Sequence, residues 1–132
     1  MADYTAKRID DLEAVLGGAF KRARAELGVE SFGMQVLDLP PNLEQFPEHD
    51  HAASGQEEVY VTMRGTGWIE VDGERVDLDP ETIIRVGPQT RRKIYTGDEG
   101  MRILALGGVP GAAYEPSGPS KLGAPDPALP RG

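Results

Sequence analysis

The sequence predicts an all-β sandwich or barrel, on three observations: short apolar segments of period two, turn residues punctuating them at near-regular intervals, and helix-forming sequence confined to the N-terminus. Phe32-Gly33-Met34-Gln35-Val36-Leu37-Asp38-Leu39 alternates as a half-buried strand does. Pro40-Pro41 ends it, because proline has no N–H to give to a ladder. Further strands are expected over about 57–64, 67–72, 74–78, 82–87, 91–96 and 101–107, each short and each bounded by Gly, Pro or Asp.

Helix is expected between residues 8 and 27. Asp10-Asp11 can cap a short turn running to Leu16, which Gly17-Gly18 would stop. Phe20 to Leu27 is rich in helix formers and ends at Gly28. From Pro110 onward the chain is mostly Pro, Gly, Ser and Ala, with little to bury against its ordering entropy. It reads as a tail, strapped to a partner subunit through Tyr114 or Leu122. The organisation is therefore an N-terminal helical or extended segment (1–31), a barrel (32–109) and a Pro/Gly-rich tail (110–132).

The bulk numbers narrow the function. A length of 132 residues argues for one domain. The net charge of −8 repels phosphate backbones, so nucleic acid is not an expected partner. No apolar run approaches a membrane span and no signal-peptide pattern opens the chain, so the expected location is the cytoplasm. With no cysteine, disulfides, iron–sulfur clusters and thiol chemistry are excluded.

The chemistry concentrates at Glu48-His49-Asp50-His51, which holds the only two histidines of the sequence. In extended backbone, alternate side chains share a face, so both imidazoles point the same way. Glu58 opens the following strand and can reach the same spot. Two imidazoles and a carboxylate are a common ligand set for a divalent transition metal such as Fe, Mn, Ni or Zn. Glu48, Asp50 and Glu57 are spare carboxylates nearby, and nothing in the spacing selects one.

His49, His51, Glu58 and, after six intervening residues, Gly65 resemble the first motif of the cupin family. The gap between the second histidine and the glutamate is longer than that motif usually has, and Leu43 stands where its leading glycine belongs. Thr82 to Thr90, with Gly87-Pro88, resembles the strand and proline turn of the second motif. Arg92 stands where that motif places a third metal-binding histidine; a strict count from Pro88 gives Lys93. The resemblance covers roughly residues 32–109. It implies a double-stranded β-helix, the cupin jelly-roll barrel, and with it a homodimer.

If Glu58 faces the barrel interior, Tyr60, Thr62 and Arg64 share its face, and on the strand after Pro88 so do Arg92, Ile94 and Thr96. Arg92, Tyr60 and Thr62 are then candidate ligand-binding residues beside a metal site of His49, His51 and Glu58. A buried guanidinium needs an anion. That anion is either Glu58 or a bound carboxylate or phosphate. Three functions fit. One is a binding module for a small anionic metabolite, with or without a metal. Another is a metal-dependent enzyme, a dioxygenase or isomerase, on a two-histidine, one-carboxylate site. The third is a metal-free isomerase or epimerase with His49 or His51 as general base and Tyr60 as acid.

Overall fold

The structure, a computed structural model, describes residues 2–127. Among the described residues there are seven strands: β1 (Ala14–Val15), β2 (Phe20–Lys21), β3 (Gly33–Leu39), β4 (Glu57–Val71), β5 (Glu74–Leu78), β6 (Ile83–Val86) and β7 (Arg92–Gly108). They form one sheet in the order β1-β2-β3-β7-β4-β5, with β6 paired to β4, and every pairing is antiparallel. The sheet curls round its main core. Leu37 and Leu39 of β3, Tyr60 and Ile69 of β4, Leu78 of β5, Val86 of β6, and Ile94, Met101 and Ile103 of β7 all meet inside it. A second, smaller cluster of Leu12, Ala23 and Val36 lies under the N-terminal segment. The all-β expectation holds.

Two expected strand pairs are each one long strand. Segments 57–64 and 67–72 join as β4, and 91–96 and 101–107 join as β7. The glycines between them make bulges, not turns. Pairing of β4 with β7 slips between Thr62 and Arg64 and again between Gly65 and Gly67. Gly65 has φ 81°, and a Cβ there would collide with the Gly100 carbonyl oxygen. The irregularities let two long strands bend around the core; at the second, the β4–β7 ladder skips residues 97–100 of β7. The first one also turns Arg64 out to solvent, off the face of Glu58, Tyr60 and Thr62.

The N-terminal segment departs further from expectation. Only Ala23–Leu27 (α1) is α-helix, closed by Gly28 at φ 78°, whose N–H bonds the carbonyls of Arg24 and Ala25. Residues 11–16 do not form one helical turn; 3-10 turns at Ile9–Asp11 and Leu16–Gly18 flank a two-residue strand. Ala14–Val15 and Phe20–Lys21 form a miniature hairpin that extends the sheet onto β3. Sheet pairing overrides helix propensity here, because Phe20 gains the barrel core as its packing partner.

The tail also differs. As far as residue 127 it lies on its own chain, and a short 3-10 turn at Gly118–Ser120 adds helix after residue 30. Residues 128–132 fall outside the described residues. Arg22, 1% exposed, holds the tail. Its Nε donates to the Pro119 carbonyl at 2.9 Å and its NH2 to the Ala124 carbonyl at 2.8 Å, while NH1 pairs with Glu13 at 2.9 Å. Tyr114 lies against Gly33 of the same chain, and Leu122 is half exposed. Low apolar content did not keep the tail loose, because the anchor is a buried guanidinium whose donors need acceptors. Arg22→Met is expected to free the tail. Trypsin should then cut after Lys121 about ten times faster, with barrel circular dichroism unchanged. Equal cleavage rates would show that Arg22 is not the anchor.

Candidate metal and ligand site

The histidine segment is stitched to the start of β7 by backbone bonds. His49 N–H donates to the Arg92 carbonyl at 3.0 Å, and Arg92 N–H to the His49 carbonyl at 2.8 Å. His51 N–H donates to the Pro88 carbonyl at 2.8 Å. Glu58 enters from β4, opposite Val86 of β6 and Gly107 of β7. Three chain segments thus bring His49, His51, Glu58, Tyr60 and Arg92 to one place. The two imidazole centroids are 5.0 Å apart, edge to face.

Glu58 Oε1 is the hub. Tyr60 donates its hydroxyl to it at 2.6 Å and Arg92 NH1 donates at 3.1 Å. His51 Nε2 stands 2.9 Å away and His49 Nε2 3.9 Å. Burial pushes the Glu58 carboxyl toward protonation, but the neighbouring His49, His51 and Tyr60 outweigh it and hold the group well below the usual carboxylate range. Tyr60 moves the other way. Its burial, and the charge of Glu58 beside it, raise the phenol well above its ordinary value, so it remains a donor.

The Nε2 atoms of both histidines converge on the carboxylate. His49 Nδ1 lies 3.0 Å from the Pro47 carbonyl. A carbonyl only accepts, so Nδ1 carries the proton and Nε2 is free to ligate, the support that metal-binding histidines usually have. Although His51 Nε2 is close to Glu58, it is not aligned as a hydrogen bond and has no partner among the described residues. Metal–ligand bonds of about 2.1 Å put neighbouring donor atoms about 3.0–3.4 Å apart. The observed 2.9 and 3.9 Å bracket that range, and one donor atom from each of the three side chains falls within 4.8 Å of the others. The donor set fits a divalent transition metal.

Arg92 is 0% exposed and lies against Glu58. NH1 meets Glu58, NH2 donates to the Gly87 carbonyl at 2.7 Å, and Nε has no partner among the described residues. Of the two anions expected for this guanidinium, the structure shows Glu58. Thr62 is buried further along β4, opposite Ile103, and no described side-chain hydrogen bond joins it to the cluster. Neither of two described clefts touches the cluster. One, of about 420 Å³, lies beside Leu16, Asp38 and Arg64. The other, of about 300 Å³, lies beside Trp68, Arg75 and Asp77. The carbonyls of Pro47 and Gly87 had no sequence signal, since any residue type carries one.

The structure superposes on a cupin protein from Bacteroides fragilis with a TM-score of 0.65, over 89% of this chain and 93% of that one, at 21% identity. This chain has the cupin fold. The chain also resembles a cupin superfamily protein from Desulfitobacterium hafniense (TM-score 0.52, 18% identity, 60% of this chain and 68% of that). KdgF from a Halomonas species is similar at TM-score 0.53 and 13% identity, over 60% and 70% of the two chains. No protein-family model matches, and no curated protein matches significantly. Among the described residues no helix is long and apolar enough to cross a membrane.

Proposed function

We propose that this cupin binds a small anionic metabolite through a divalent transition metal held by His49, His51 and Glu58. The observation that carries the reading is the convergence of two imidazole Nε2 atoms on an ionised carboxylate, one freed to ligate by the Pro47 carbonyl and the other with no hydrogen-bond partner among the described residues. A metal so bound would keep open positions and polarise an oxygen of the incoming anion. Arg92 and Tyr60 are positioning residues. They fix Oε1 and thereby the carboxylate plane, while the partly exposed histidines form the accessible side. Whether chemistry follows binding depends on the metabolite, and a dioxygenase or an isomerase would both use these groups.

One observation favours a metal-free alternative. Arg92 already neutralises Glu58 at 3.1 Å, and a fixed cation lowers affinity for a second one by Coulomb repulsion. Elemental analysis of untagged protein separates the readings. One equivalent of metal is expected in the wild type, with His51→Ala and Glu58→Ala each losing about a hundredfold in affinity. Arg92→His should bind more tightly, since it removes a charge and adds a neutral donor. Metal in Arg92→His but not in the wild type would assign the site to an anion held without metal. No metal in either ends the metal reading.

A further inference from the structure

We propose that the cleft beside Leu16 and Arg64 is a second binding site, for a free amino acid with an apolar side chain. The cleft encloses about 420 Å³, within the size range of small-molecule pockets. Its lining includes Arg64 of β4, Glu99 and Met101 of β7, Asp38 and Leu39 of β3, and Leu16. Arg64 is six residues along β4 from Glu58, roughly 20 Å of extended strand, so the cleft is distinct from the histidine cluster. Strand irregularities supply both charges. The slip between Thr62 and Arg64 turns Arg64 out of the interior face, and Glu99 stands in the stretch of β7 that the ladder skips. Bulges re-aim side chains in this way beside functional sites. Arg64 and Glu99 are both exposed. The ion pairs around them, Asp38 with Arg102 and Lys21 and Asp10 with Arg102, leave both out, and neither has an ion-pair partner among the described residues.

The charges select the ligand. Register places Arg64 directly opposite Arg102, and like charges opposed across two strands are unfavourable. Arg102 is held by Asp38 and Asp10, so those carboxylates do not serve Arg64. A carboxylate from outside meets the free guanidinium and relieves the repulsion. Glu99 lines the same cleft without pairing to Arg64 and offers an acceptor for an ammonium group. Asp38 does not take that part, because Arg102 and Lys21 occupy its oxygens. The apolar part of the lining is Leu39 and Met101, both core residues, with the partly buried Leu16. A cation, an anion and an apolar floor in one cleft match the carboxylate, ammonium and side chain of an amino acid such as leucine. A simple carboxylate leaves Glu99 unused, and a simple amine leaves Arg64 unused. The cleft wall is also strained. Leu16 takes φ 56°, an angle that favours glycine, and the Asp126 carboxylate of the tail accepts its N–H at 3.1 Å. Strained backbone of this kind gathers at ligand sites.

Titration of the isotope-labelled full chain with L-leucine, read by backbone amide chemical shifts, tests this. The amides of Gly17, Arg64, Gly65 and Glu99 should move together, with a dissociation constant of about a millimolar, while those of His49, His51 and Glu58 stay still. Leucinamide, which lacks the carboxylate, and isocaproate, which lacks the ammonium, should each bind about tenfold more weakly. Arg64→Gln should weaken leucine about tenfold and leave leucinamide unchanged, and Glu99→Gln should weaken leucine about tenfold and leave isocaproate unchanged. Both side chains are exposed, so both variants keep the fold. No shift at tens of millimolar leucine, shifts at the histidine cluster instead of the cleft, an analogue that binds as well as leucine, or unchanged leucine binding in either variant would each overturn the proposal.

Discussion

Arg92→Ala is expected to lower the unfolding free energy by about 3–5 kcal/mol, read from urea denaturation. Arg92 is fully buried and its guanidinium meets Glu58 and the Gly87 carbonyl, so truncation strands an ionised carboxylate and an acceptor away from water. Tyr60 and His51 remain at Glu58, which places the expected loss nearer the lower end of the range. The same variant probes the site. With the cation gone, a divalent metal becomes the available partner for Glu58. Zinc should then raise the midpoint of Arg92→Ala more than that of the wild type, by the mass-action term of ligand binding. A variant as stable as the wild type would mean that Glu58 does not depend on Arg92. Equal metal effects on the two proteins would mean that the two cations do not compete.

What the sequence made legible follows a physical division. Where turn chemistry is local, the reading was right. Asp72 and Gly73 both adopt positive φ, 49° and 83°, as a two-residue hairpin turn demands, and β5 begins and ends where expected. Gly65 and Gly100 were equally visible, but a glycine at positive φ serves a turn and a bulge alike. Only the register across β4 and β7 distinguishes them. The convergence of His49, His51 and Glu58 was readable from spacing, and alternation correctly sent Arg92, Ile94 and Thr96 inward. Which anion Arg92 would meet was not readable, because that depends on a rotamer and on the Gly87 carbonyl. The hairpin at residues 14–21 and the docked tail were missed for a shared reason. Each is held by distant partners, Leu37 and Val36 for Phe20 and Lys21, and Arg22 for Pro119 and Ala124.

Gly65→Ala is expected to destabilise the fold by roughly 4 kcal/mol or more, enough to leave a marginal domain largely unfolded. Two effects add. The φ of 81° costs an L-residue about 1–2 kcal/mol. In addition, the new Cβ would overlap the Gly100 carbonyl oxygen and crowd the backbone at Met101, neither of which is a movable side-chain end. Relief requires β4 and β7 to part at the bulge. Gly100 cannot retreat easily, since it is itself packed against the Leu39 carbonyl of β3. Gly73→Ala separates the two contributions. Its φ is 83°, nearly the same, but nothing lies within 4 Å of the added Cβ. That variant should therefore lose only the conformational part, about 1–2 kcal/mol. The difference between the two midpoints measures how closely the bent strands approach. If Gly65→Ala and Gly73→Ala lose the same stability, the two strands have slack at the bulge, and the glycine there is needed for its backbone angle alone.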